Sequence, residues 1–269
     1  GIPHLRRLHA TIESQRWRFS LEGHHRPLNA LVMGKSKIIT GAGRDILIWD
    51  AKTGRRLKSL TLPIGPLTAI AIDESEEKLA AGSASGNVNI WNLNTGHLTY
   101  EIQSKGCACL HFDPDGKKLA IGTWDCQISI YDTKDSQIKW SSEILTDMPS
   151  TLRFNDNGSI LAVGLENGGL YLWRRNLDIK QFHPPLSDAA ITALDFHINN
   201  KSIAVGSNNG DCRIWTIESN SLSSTFGGPS GRIDDIQLTD TSILAASSHG
   251  IVHSWTLPVD IRDEVWALG

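Results

Sequence analysis

Six aromatic residues recur along this chain at nearly constant spacing: Trp49, Trp91, Tyr131, Trp173, Trp215 and Trp255, with gaps of 42, 40, 42, 42 and 40 residues. A period of this length means that one supersecondary unit has been copied, and a unit too small to bury its own apolar face must stack against its copies. The 269 residues therefore read as a single domain over 1–269, with repeats at about 16–50, 51–92, 93–132, 133–174, 175–216 and 217–256 and a tail at 257–269.

A second ladder, of small residues, stands eight or nine positions before each anchor: Gly41, Gly82, Gly122, Gly164, Gly206 and Ala246. Each closes a short apolar run such as Leu79-Ala80-Ala81 or Ile160-Leu161-Ala162-Val163, and short runs bounded by turn residues read as strands buried on both faces. A further strand precedes each run, ending at Met33, Ile72, Phe112, Phe154, Phe196 and Leu238. Turns such as Asp113-Pro114-Asp115-Gly116 and Asn155-Asp156-Asn157-Gly158 join the two, since Asp, Asn and Gly supply the positive φ that tight hairpins need. Ser85-Gly86-Asn87 and its counterparts lead into the anchor strand, and Lys52-Thr53-Gly54 or Asn94-Thr95-Gly96 opens a fourth, alternating strand such as Leu57-Lys58-Ser59-Leu60. Four antiparallel strands in about 41 residues make one blade of a β-propeller. The expected fold is all-β: a β-propeller of six four-stranded antiparallel blades, without helices.

Over about residues 16 to 256 the pattern resembles the WD-repeat family. Trp49-Asp50, after Arg44-Asp45-Ile46-Leu47-Ile48, is similar to the family's closing dipeptide, and Gly23-His24 to its opening one. Trp124-Asp125 is out of phase and falls in a turn. Only Trp49 and Tyr131 are followed by Asp; Asn92, Arg174, Thr216 and Thr256 fill that place elsewhere. The family's turn aspartate is present as Asp125 but reads Ser85, Asn167, Asn209 and His249 in other repeats. Most blades are thus expected to lack the family's buried network of His, Asp, Ser and Trp and to rely on packing. The resemblance also implies a ring closed by an outer strand from the other end of the chain. Trp17-Arg18-Phe19-Ser20-Leu21 alternates as such a strand should, although the tail from Val259 to Leu268 competes for the same edge. If both are outer strands, a seventh blade is missing.

Net charge is −3, with 20% charged and 40% hydrophobic residues, which gives no general attraction to nucleic acid or acidic membranes. No apolar run approaches the roughly 18 residues of a membrane helix. Cys107, Cys109, Cys126 and Cys212 lie in predicted strands rather than in a disulfide framework, which suits a reducing compartment, the cytoplasm or, in a eukaryote, the nucleus. The chain begins at Gly1, as a processed product or an excised piece would.

Nothing in the pattern assembles a catalytic or metal site. The ten histidines are scattered over the repeats, and none pairs at the spacing of a zinc helix. Cys107-x-Cys109 is expected to point its thiols to opposite faces of a strand. Asp234-Asp235 and Glu76-Glu77 are sequence neighbours, unlike the facing carboxylates of a glycosidase. Neither a G-x-S-x-G elbow nor a G-x-x-x-x-G-K loop occurs. The basic pairs Arg6-Arg7, Arg55-Arg56 and Arg174-Arg175 do not form a stripe with stacking aromatics, so nucleic acid is not the expected partner. No cofactor is expected.

The anchors are expected to be core. Trp124 is different: it sits in the turn between the second and third strands, where Ala84, Glu166, Asn208 and Ser248 hold the matching places and Arg44 the nearby one. In the resembled family this face commonly contacts partner proteins, and aromatic residues are enriched at binding hot spots. The competing reading has Trp124 folded over a neighbouring blade and partly buried. The chain is expected to be a non-enzymatic interaction scaffold offering this face to protein or peptide partners, within a larger complex or chain. The alternatives are a propeller hydrolase or lactonase with an acidic or metal site in its channel, and the sensor or assembly domain of a larger signalling protein.

Overall fold

Polar turns of fixed geometry interrupt the apolar runs of every repeat, so each repeat folds as an antiparallel meander. The computed structural model describes residues 20–174, 180–183, 189–219, 221–228 and 231–257. Strands β1 (Ala30–Met33), β2 (Lys37–Ala42), β3 (Asp45–Asp50) and β4 (Arg56–Thr61) pair in that order. The same order holds for β5 (Leu67–Ile72), β6 (Lys78–Ser83), β7 (Asn87–Asn92) and β8 (Leu98–Gln103), and for β9 (Cys107–Phe112), β10 (Lys118–Thr123), β11 (Ile128–Asp132) and β12 (Ile138–Ser141). The fourth sheet holds β13 (Pro149–Phe154), β14 (Ile160–Leu165), β15 (Leu170–Arg174) and β16 (Lys180–His183); the fifth holds β17 (Ile191–Phe196), β18 (Ser202–Ser207), β19 (Cys212–Thr216) and β20 (Ser221–Phe226). The sixth, β21 (Ile233–Leu238), β22 (Ser242–Ser247) and β23 (Val252–Thr256), is three-stranded among the described residues. Its expected outer strand lies mostly outside them: Trp17 to Phe19 are not described, and Ser20 and Leu21 carry no strand. The tail from Val259 is outside as well. No helix occurs among the described residues.

The described residues divide into two compact units, one ending at Leu152 and the other beginning at Arg153, within β13. In the first unit Trp91 is buried with Ile39, Ile46 and Ile48 of the first sheet, and Tyr131 with Val88 and Ile90 of the second. In the second unit Trp215 packs against Leu170 and Leu172 of the fourth sheet, and Trp255 against Cys212 and Ile214 of the fifth. Each of these four anchors therefore wedges onto the sheet that precedes its own. Trp49, Trp91, Tyr131 and Trp173 are buried, while Trp215 and Trp255 are half-buried. Removing a buried Trp from such a core costs about 3–5 kcal/mol.

The small-residue ladder has a steric cause. A Cβ at Gly41 would stand 2.0 Å from Leu67 Cδ2, at Gly82 2.2 Å from Cys107 Sγ, at Gly122 2.5 Å from Cys109 Sγ, and at Gly206 2.6 Å from Ile233 Cγ2. Leu67, Cys107 and Ile233 each open the innermost strand of the following sheet, so glycine is where the next sheet intrudes. Ala246 occupies this place in the sixth sheet.

Cys107 and Cys109 do face different neighbours, Gly82 on one side and Pro149 on the other. Strand alternation is not the reason, because residues two apart in a regular strand share a face. A register shift lets Gly122 and Thr123 pair with Cys109 and Cys107, leaving Ala108 as the extra residue of a bulge. The bulge recurs at Thr68 and Thr192, whose hydroxyls donate to the carbonyls of Cys107 (2.6 Å) and Ile233 (2.5 Å) on the next innermost strand.

In the first repeat the Trp and His members of the polar network meet on Thr40. Trp49 Nε1 donates to Thr40 Oγ1 at 2.8 Å, and His24 Nε2 lies 2.8 Å from the same oxygen. Burial lowers the His24 pKa from its ordinary value. Strand pairing puts Ala81, Ile121, Val163, Val205 and Ala245 where Thr40 stands. The other sheets thus lack the central hydroxyl as well as most of the turn aspartates. The residue after the anchor is a milder departure: Asn92 Oδ1 accepts from the Asn94 and Thr95 N–H groups (both 2.9 Å), as Asp50 Oδ1 does from Lys52 and Thr53 (3.0 and 2.7 Å).

Candidate docking surface

In the first unit Arg44, Ala84 and Trp124 occupy the turns β2–β3, β6–β7 and β10–β11; in the second, Glu166, Asn208 and Ser248 occupy β14–β15, β18–β19 and β22–β23. These turns are built alike. The backbone N–H groups of Ala84, Trp124, Asn208 and Ser248 donate to the carbonyls of Pro66, Gly106, Ala190 and Arg232, at 3.0, 3.2, 2.9 and 2.8 Å. Each acceptor immediately precedes the innermost strand of the same sheet. The turn between the second and third strands is thereby fixed beside the entry of the first.

Side chains at these places differ. Glu166, Asn208 and Ser248 are exposed and Ala84 is half-buried. Arg44 is exposed, yet its guanidinium is engaged: Nε and Nη2 donate to the Leu62 carbonyl at 2.8 and 2.6 Å, and Nη2 also reaches Pro63 O. Trp124 is 47% exposed. Its indole rests against Gly106, which directly precedes β9 of the same sheet, so the ring is partly covered by its own repeat rather than by a neighbouring blade and still shows about half its surface to solvent.

Electrostatics tie the rest of this turn down. Thr123 Oγ1 donates to Asp125 Oδ1 at 2.5 Å, and Lys105 Nζ stands 2.9 Å from Asp125 Oδ2. Burial opposes ionisation of Asp125, but the Thr123 hydroxyl and Lys105 together hold its pKa below the ordinary value. Burial, then the Asp147 and Asp125 carboxylates, push the Cys126 thiol up. Cys126 is not poised as a nucleophile.

The link from β12 to β13 completes the surface. Ser142 N–H donates to Ile128 O and Leu145 N–H to Cys126 O, both at 2.8 Å, laying Glu143, Ile144 and Asp147 beside the Trp124 turn. Ile144 is 72% exposed. None of Lys105, Glu143, Ile144 or Asp147 was legible as a site residue, because links between repeats carry no repeating signal. Their one sequence cue is nearness to an outer-strand end.

The other candidate chemistry resolves into structure. Asp234 is held by Arg232 (2.6 Å), and Glu76 by Ser36 and Lys37. His197 accepts from Asn199 N–H at Nδ1 and faces Asp240 through Nε2 at 3.1 Å, and His253 stacks on Trp255. Among the described residues no three His, Cys, Asp or Glu side chains converge as metal ligands would.

A sequence model of the family described as "Nucleolar protein 10-like, N-terminal domain", a β-propeller, matches residues 17–255. The chain is 28% identical over 149 residues to WD repeat-containing protein SL1-17 of Schistosoma mansoni, covering 54% of this chain and 49% of that protein. It is 29% identical over 136 residues to Periodic tryptophan protein 2 of Saccharomyces cerevisiae, covering 48% of this chain and 14% of that protein. Target of rapamycin complex subunit LST8 of Mus musculus is 21% identical over 187 residues, covering 67% and 57%. The matched stretches thus span from about a seventh to somewhat over half the length of these relatives.

Proposed function

The chain belongs to the nucleolar protein 10-like N-terminal domain family of WD-repeat β-propellers, and on that premise we propose that it is a non-enzymatic scaffold for protein partners. The observation that carries the reading is Trp124, a large aromatic 47% exposed in a turn whose backbone is fixed by the repeat itself. A half-exposed indole on a rigid turn offers contact area at little entropic cost, and such residues dominate protein interfaces. The WD-repeat relatives support a scaffold in general terms, and one of them is by its name a subunit of a complex. Work inside a larger assembly, as a single propeller domain, is the corresponding proposal here. The family description favours a nuclear, specifically nucleolar, setting over the cytoplasm.

Site-specific photo-crosslinking from the β10–β11 turn in the native source, comparing wild type with Trp124→Ala, tests this. A partner lost on substitution, with the melting temperature nearly unchanged, supports it. The same partners captured equally by both proteins would overturn the assignment of the docking face. No observation favours the hydrolase alternative.

A further inference from the structure

We propose that the Trp124 corner of the first unit docks a basic, amphipathic peptide segment: a Lys or Arg side chain lies across the indole while neighbouring basic groups meet Glu143 and Asp147. The inference rests on the docking reading above and adds the chemistry of the partner. Two links frame the corner. The one entering β9 supports the ring through Gly106, and the one entering β13 is pinned to the hairpin by Ser142 and Leu145. Between them they present two exposed apolar side chains, Trp124 and Ile144, among three carboxylates, Asp125, Glu143 and Asp147.

Among the described residues one cation pairs within this group, Lys105, and it is taken by Asp125 at 2.9 Å. No Lys or Arg pairs with Glu143 or Asp147 among the described residues; Asp147 Oδ1 accepts only the Met148 N–H, at 2.7 Å. Among the described residues two carboxylates thus remain without a cationic partner near the Trp124 turn. An indole face attracts a cation, and flanking carboxylates add to the attraction. The same carboxylates repel phosphates, which disfavours nucleic acid and anionic lipid at this corner. Ile144 supplies the apolar contact that lets the segment alternate basic with aliphatic residues.

The test uses the full chain and fluorescence anisotropy with a labelled peptide of alternating Arg and Leu, its Glu and Leu counterpart, and an oligouridine. The basic peptide is expected to bind, to weaken as salt rises, and to weaken roughly tenfold or more in Trp124→Ala and, separately, in the double variant Glu143→Gln, Asp147→Asn. Asp147→Asn keeps the oxygen that accepts Met148 N–H, so the double variant reports charge rather than loss of fold. Equal binding of the basic peptide by wild type and both variants, or tighter binding of oligouridine or the acidic peptide, would overturn the proposal. Should the crosslinked partner be lost with Trp124→Ala while the double variant affects neither it nor the basic peptide, the docking face stands and the basic-peptide inference falls.

Discussion

Trp124 leans on Gly106 so closely that a Cβ built on the glycine would stand 2.8 Å from the indole Cε3. Gly106 also has φ +83°, so this position is bound to glycine twice, by backbone conformation and by the ring above it. The orientation of the exposed aromatic is therefore set by a residue in the preceding link. Gly106→Ala should lower stability by about 1–3 kcal/mol and change the Trp124 fluorescence. In the Trp124→Ala background the steric share should vanish and the backbone share remain. A thermal double-mutant cycle measures the difference, and strict additivity would contradict the contact.

Cys126 stands where other repeats carry glycine. The β-turn residues Gly86, Gly168, Gly210 and Gly250 have φ of +96°, +82°, +94° and +76°, and Cys126 adopts +61° at the matching place. A non-glycine residue in this region costs about 1–2 kcal/mol, against which glycine's added chain entropy sets about 0.5–1 kcal/mol. Cys126→Gly is accordingly expected to leave the melting temperature unchanged or raise it by a degree or more. A clear drop would show that the thiol contributes packing at this turn.

Glu76 holds the same kind of conformation, φ +58°, where Gly116 and Gly158 stand in later repeats. Here the side chain ties two sheets together, since Oε1 accepts the Ser36 N–H at 2.7 Å, and Oε2 takes the Ser36 hydroxyl and Lys37 Nζ (3.3 Å) from the first sheet. Burial opposes the charge, but these partners hold the Glu76 pKa below its ordinary value. A lowered folded-state pKa contributes stability that is present above the unfolded value and lost as pH falls through the folded one. The melting-temperature gap between wild type and Glu76→Gln should therefore be widest near neutrality and shrink below the ordinary Glu range. A gap independent of pH would assign the effect to packing.

Gly82 and Cys107 test the steric ladder. Gly82→Ala brings a Cβ to 2.2 Å from a buried thiol and should cost about 1–3 kcal/mol. Combining it with Cys107→Ala should recover a measurable part of that loss in chemical denaturation. Burial pushes the Cys107 pKa up to about 12, so thiol reagents should not modify it in the native protein.

β23 ends the sixth sheet with Val252 half-exposed (52%) and no fourth strand among the described residues. We expect deletion of residues 1–22 to lower the melting temperature, because an outer strand from this segment would cover the β23 edge. An unchanged melting temperature would remove the N-terminal segment from that role.

Period, strand ends and turn positions were legible in the sequence because each is a local requirement repeated in phase. The innermost strands end at Met33, Ile72, Phe112, Phe154, Phe196 and Leu238, where the apolar pattern put them, since polar turns follow, opened by Asp73, Asp113 and Asn155 in the second to fourth sheets. The ladder of glycines was visible too, but not its reason. That belongs to the next sheet, whose Leu67, Cys107 and Ile233 occupy the space a Cβ would need. Trp124 was identifiable as an aromatic out of phase. Only the tertiary structure placed Gly106 beneath it and Glu143, Ile144 and Asp147 beside its turn, because links between blades obey no period and acquire their neighbours through packing alone.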